Sequence, residues 1–152
     1  MLNFLEHAEK IVRIHSVSED GNEEIATYLQ GLMQRSGFKT MLQEVTHSLE
    51  NVSRHQYNVI GTMGDPLVDH TTKKGLLLNT HIDTVSPGIK SYWTECNQDP
   101  YQLTIKDGKL FGLGSADVKL DMLCKLKACE KYKDRRLKMP IYLVGTCAKK
   151  SE

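Results

Sequence analysis

The chain lacks any run of about 18 apolar residues, the length a membrane-spanning helix needs. Its start, Met1-Leu2-Asn3-Phe4-Leu5-Glu6, places an acid where a secretory leader carries positive charge and an apolar stretch. Both absences point to a cytoplasmic protein with no membrane partner. Cysteine is scarce, four in 152 residues, and none of Cys96, Cys124, Cys129 and Cys147 stands in a CxxC pair. That argues against a cysteine zinc motif and against a thioredoxin-type motif. The four thiols are expected reduced, with ordinary packing roles. A surplus of one charge is missing as well. Twenty Lys+Arg stand against nineteen Asp+Glu, a formal net charge of +1. Whole-chain polyanion binders carry a large basic excess, so nucleic acid is not an expected partner. Basic residues do gather in 117–152, but they are not interleaved with aromatics as a base-stacking surface would be. They read as a solvated helix face.

What is present is a soluble, globular composition, 39% hydrophobic and 26% charged, of one-domain length. Leu2, Leu5, Ala8, Ile11 and Val12 share one helical face, which predicts a helix over 2–15. Asn22 is a predicted N-cap for a second helix, with Glu23 and Glu24 in its first turn and Gly37 as its stop. Strands are expected at 38–45 and 55–61. The continuous apolar run at 75–80 suits a strand buried on both faces of a mostly parallel sheet. A long loop follows over 86–100. Asp107-Gly108 marks a hairpin between 101–106 and 109–111. A helix over 117–133 and a buried strand over 140–145 complete an alternating α/β pattern.

Three short constellations follow predicted strands, where ligands bind in open α/β sheets. The first is Asn79-Thr80-His81-Ile82-Asp83-Thr84-Val85. A histidine and a carboxylate two apart in extended backbone point to one side. One can bind a metal while the other steers the imidazole. The second is Gly112-Leu113-Gly114-Ser115-Ala116-Asp117, with Asp117 near a helix start. On its own Asp117 also reads as a helix cap. A dinucleotide-binding reading fails because GxGxxG has lost its third glycine and the preceding strands form a hairpin. The third is 145–152, a strand end passing into Ala148-Lys149-Lys150-Ser151-Glu152.

Taken together, HIDTV after an apolar strand, DGKLFGLGSADVK opening a helix, and PIYLVGT as the next strand resemble a zinc-dependent amidohydrolase and peptidase family. Acetylornithine deacetylase, succinyl-diaminopimelate desuccinylase, aminoacylase and the glutamate carboxypeptidases belong to it. The resemblance implies an α/β fold: the N-terminal part of a mostly parallel three-layer αβα catalytic domain, with no lid domain. Residues 1–152 then form a single portion of that domain. It implies that His81 binds one metal, that Asp117 bridges two, and that Asp83 orients His81 and counts as catalytic. The implied cofactor is a pair of zinc ions, with cobalt as a substitute. The implied partner is a small N-acyl amino acid or peptide substrate. Oligomeric state stays open.

The third constellation departs from the family. An acidic residue followed by Glu-Glu is expected there, one Glu as general base and the next as a metal ligand. Ala148-Lys149-Lys150 stands instead. A lysine at neutral pH carries a proton rather than accepting one, and its ammonium opposes a bound cation. Metal binding is therefore expected to be weak or absent, and the chain catalytically inactive. If the codons are GCN-AAG-AAG-AGY, moving the frame back one base reads NAA-GAA-GAG and recovers Glu-Glu. That gives a frameshift as one origin of the departure. A non-enzymatic α/β binding or regulatory remnant of the same scaffold is the competing class.

Overall fold

A computed structural model describes residues 2–49, 52–64 and 74–147 of the 152. Two helices come first, α1 (Phe4–Arg13) and α2 (Glu23–Arg35). Strands β1 (Lys39–Leu49) and β2 (Val52–Met63) then pair antiparallel, from Lys39 opposite Thr62 to Leu49 opposite Val52. Strand β3 (Leu76–His81) leads into a long loop holding two 3-10 turns, Lys90–Tyr92 and Thr94–Cys96. The small hairpin β4 (Thr104–Lys106) and β5 (Lys109–Phe111) turns at Asp107-Gly108, as the sequence predicts. Helix α3 (Lys119–Cys129) and strand β6 (Ile141–Thr146) follow.

The main sheet has the order β1-β2-β6-β3. The expected α/β class holds, but the sheet is mixed. Only β3 and β6 run parallel, while β2 pairs antiparallel with both of its neighbours. The parallel pair is the one whose strands are joined through a helix, α3, as parallel pairing requires. The long β1–β2 ribbon accounts for the rest.

One core joins all three helices to one face of the sheet. Ile11 and Val12 of α1, Leu29 and Met33 of α2, and Met122, Leu123 and Leu126 of α3 close over Val59, Met63, Ile141 and Leu143. Gly145 leaves no space between β6 and α3. A Cβ there would lie 2.7 Å from Val59 Cγ1, 2.8 Å from Ile82 Cγ2 and 3.1 Å from Met122 Cε. The described residues thus build two layers, and no described helix covers the opposite sheet face. There the register aligns Met41 with Ile60, Ile60 with Val144, and Leu77 with Tyr142. This corrects the reading of 75–80 as buried on both faces: Leu77 is 62% exposed and Leu76 is exposed as well. Strand β6 likewise alternates buried and half-buried residues.

Asn22 stands at the N-cap position of α2, as the sequence predicts, and its backbone oxygen accepts from Ala26 N–H at 3.0 Å. Its side chain makes no capping bond to α2. It pairs instead with β2, Nδ2 donating to Tyr57 O and Oδ1 accepting from Tyr57 N–H, both at 2.8 Å. A buried amide that completes two backbone bonds across elements gains more than one bond to its own helix. Among the described residues, no helix is long and apolar enough to cross a membrane.

Candidate functional site

His81 is the last residue of β3, held beside Thr146 by the parallel ladder. The ladder continues one step further, Ile82 N–H donating to Thr146 O at 2.9 Å. The chain then crosses to 16–18, where Val17 and Thr84 form a parallel bridge. Backbone bonds on both sides therefore fix 82–84, and Asp83 lies fully buried within them.

Asp117 arrives from the glycine-rich segment. Two positive φ angles, +151° at Gly112 and +80° at Gly114, steer that segment against α1 and α3. A Cβ on Gly112 would stand 2.7 Å from Val12 Cγ1, and one on Gly114 would stand 2.8 Å from both Cγ and Cδ of Lys119. The N-cap position of α3 is Val118, one residue after Asp117. The Asp117 carboxylate turns toward His81.

The three residues singled out from the sequence meet. His81 Nδ1 lies 3.0 Å from the backbone oxygen of Asp83 and 3.5 Å from its Oδ1. His81 Nε2 lies 3.0 Å from Asp117 Oδ1. A backbone carbonyl only accepts, so Nδ1 is the nitrogen that carries hydrogen. In the neutral ring Nε2 then presents a lone pair to a carboxylate oxygen. Two lone pairs at 3.0 Å repel one another, and a proton or a cation between them relieves that repulsion. The histidine side chain is 22% exposed and that of Asp117 69%, so this junction opens to solvent while Asp83 anchors it from below.

These donors suit a zinc-type ion as half of a four-coordinate shell, an imidazole nitrogen and a carboxylate oxygen. The backing of Nδ1 by a carboxylate and a carbonyl is the usual support of a metal-binding histidine. No group of three His, Cys, Asp or Glu side chains that could hold a metal occurs among the described residues. The third constellation, Ala148-Lys149-Lys150, lies outside them.

Beside Asp117 lies a cleft of about 460 Å³, lined by Val85, Tyr92, Trp93, Glu95, Phe111 and the glycine-rich segment. Trp93 Nε1 donates to Pro87 O at 2.9 Å and so holds the cleft's outer loop. A larger hollow, lined among others by His15, Glu24 and His55, includes none of His81, Asp83 and Asp117.

Lys119 supports the site unannounced by the sequence. It is 1% exposed, and Nζ donates to Ile14 O at 2.6 Å and to Ile11 O at 3.3 Å. It thereby ties the end of α1 to the start of α3, two residues from Asp117. Burial pushes its pKa down to about 8. Ser18 was also unannounced; its hydroxyl donates to Asp83 Oδ2. A charged residue next to an apolar helix stripe was the available signal for Lys119. Ser18 gave none, because its partner lies 65 residues away.

The fold and this constellation define an α/β scaffold that sets a histidine between two aspartates at the end of β3. The segment 77–148, which carries all three site residues, matches Peptidase family M20/M25/M40. Relatives extend the likeness over most of the chain. It is 31% identical over 149 residues to acetylornithine deacetylase of Proteus mirabilis, covering 94% of this chain and 35% of that protein. It is 33% identical over 131 residues to acetylornithine deacetylase of Yersinia pseudotuberculosis, covering 86% and 31%. Among solved structures, human carnosine dipeptidase 1 superposes with a TM-score of 0.75 at 21% identity, covering 93% of this chain and 31% of that one. Aminopeptidase PepT from Bacillus cereus gives 0.62 at 20% identity, covering 95% and 35%. At those identities the two structures establish the fold alone. The chain spans about a third of the length of the curated relatives it matches.

Proposed function

We propose that this scaffold serves metal-assisted hydrolysis of the amide bond of a small N-acyl amino acid or peptide, of the acetylornithine deacetylase or succinyl-diaminopimelate desuccinylase type. The observation that carries the reading is the 3.0 Å approach of His81 Nε2 to Asp117 Oδ1, with Nδ1 already committed to Asp83. His81 and Asp117 would hold a divalent ion, zinc or cobalt. When bound, such an ion supplies Lewis acidity toward an amide carbonyl and makes water nucleophilic near neutral pH.

The chain's own residues supply orientation. Asp83 keeps the hydrogen of His81 on Nδ1 and directs Nε2 outward. The glycine-rich segment brings Asp117 to that nitrogen. The cleft of Tyr92, Trp93 and Phe111 offers an apolar wall beside Asp117, suited to an acyl chain. Lys149 stands where the family resemblance places the glutamate that acts as general base. We therefore propose that residues 1–152 by themselves bind the ion weakly and do not turn over substrate.

Isothermal titration of the full chain with zinc tests this. The expected result is binding weaker than micromolar, lost in His81→Ala and in Asp117→Asn, with no hydrolysis of N-acetylornithine. Zinc binding unaffected by either substitution would overturn the assignment of the site. A sub-micromolar stoichiometric site, or chelator-sensitive hydrolysis, would overturn the proposed weakness.

A further inference from the structure

One side chain that holds Asp83, Ser18, comes from the loop after α1, far from the site in sequence. Residues 16–18 run parallel beside 82–84. Thr84 N–H donates to Ser16 O at 2.8 Å, and Ser18 N–H donates to Thr84 O at 2.9 Å. Ser16 Oγ donates to Ile82 O at 3.2 Å, and Ser18 Oγ donates to Asp83 Oδ2. From the sheet, Gln56 Nε2 donates to Ser18 O at 2.5 Å and fixes the loop on its other side.

We propose that Ser18 is a positioning residue of the site. A carboxylate can turn about its own axis, and either oxygen can face a neighbour. The Ser18 hydroxyl ties down Oδ2, which leaves Oδ1 on the side of His81 Nδ1 at 3.5 Å. The Asp83 carbonyl accepts from Nδ1 at 3.0 Å, and the negative charge of Oδ1 at 3.5 Å adds to it, so the ring hydrogen stays on Nδ1 and Nε2 stays bare toward Asp117. Ser18 touches neither the ion nor the substrate; it acts through Asp83. The hydroxyl also lies 3.3 Å from Thr84 O, but the backbone bonds Ser18 N–H to Thr84 O and Thr84 N–H to Ser16 O do not involve it, so its removal leaves the ribbon of 16–18 and 82–84 in place. The consequence for ion binding rests on the proposed reading of His81 and Asp117 as donors. The consequence for the histidine ring does not.

The test uses the full chain, free of metal, with ¹⁵N-labelled histidine. Two-bond proton–nitrogen correlations report which ring nitrogen of His81 carries hydrogen, at a pH where the ring is neutral. Wild type and Ser18→Thr, which keeps the hydroxyl, should show the Nδ1–H tautomer. Ser18→Ala should shift to a mixture with Nε2–H, while its thermal unfolding changes little. Zinc affinity, titrated in parallel, should fall about 10- to 100-fold in Ser18→Ala and recover in Ser18→Thr. Should Ser18→Ala unfold, Ser18→Cys keeps the size with a weak donor and is read the same way. A tautomer shift with no zinc binding in any variant upholds the role of Ser18 and overturns the cation reading. An unchanged tautomer in Ser18→Ala overturns the inference, whatever the zinc result.

Discussion

Lys119 and Ile14 are joined by a 2.6 Å hydrogen bond from a buried ammonium nitrogen to the carbonyl that ends α1. No carboxylate is among its hydrogen-bond partners, and burial lowers the pKa to about 8 from an ordinary 10.5. The folded state therefore releases this proton before the unfolded state does. Below about pH 8 both states carry the charge and the folded state bears the full desolvation penalty. Between about 8 and 10.5 the unfolded chain binds more protons, so stability from this group rises with pH. The gain reaches about 3 kcal/mol at most. In urea melts across that range, wild type should gain on Lys119→Met, which removes the titration. Parallel pH profiles for the two proteins would contradict this account.

Gly145 has no room for a side chain on the packed face of the sheet. Its hypothetical Cβ meets Val59, Ile82 and Met122 at once, all of them fully buried. Gly145→Ala should cost about 1–3 kcal/mol, the usual range for overpacking. At this chain length each kcal/mol lowers Tm by about 2–4 °C. A calorimetric scan showing an unchanged midpoint would mean that α3 moves aside freely.

Changing Lys149 and Lys150 to Glu together should not produce an amidase from these 152 residues. Two donors, His81 and Asp117, are placed among the described residues, and rate in such sites depends heavily on complete positioning. The double variant should bind zinc more tightly than wild type, since two ammonium groups are replaced by carboxylates. Turnover of an N-acetyl amino acid by that variant, stopped by a chelator, would disprove the prediction.

The open sheet face should make the chain self-associate. Leu77 is 62% exposed on the face shared with Met41, Ile60 and Val144. Contiguous exposed apolar surface of this kind drives association. Leu77→Lys should shift the weight-average mass in sedimentation toward monomer and leave Tm nearly unchanged. If the wild-type chain sediments as a monomer at every concentration, the idea is wrong.

That His81, Asp83 and Asp117 would come together was legible in the sequence because the signals are local. His81 and Asp83 sit two residues apart on one segment, and Gly112, Gly114 and Asp117 form one loop. The hairpin at Asp107-Gly108 was legible for the same reason. What the sequence hid were relationships between distant segments. Ser18 looks like any loop serine until Asp83 is laid beside it. Asn22 carries a strong capping signal, yet β2 offers its amide two backbone partners and α2 offers one. The run at 75–80 reads as doubly buried because apolar content reports what a strand can tolerate. It does not report what covers the strand.

The ribbon of 16–18 against 82–84 also governs the order in which the site can come into being. Its Ser18–Asp83 contact spans 65 residues of chain, whereas α1, α2 and the β1–β2 hairpin close over short distances. Long loops gain nothing until they shut, so this contact belongs to the late part of folding. The helices and the hairpin can therefore reach native form while His81 still lacks its anchored partner. Secondary structure, followed by circular dichroism, would then recover ahead of the geometry that any ligand of His81 and Asp117 requires.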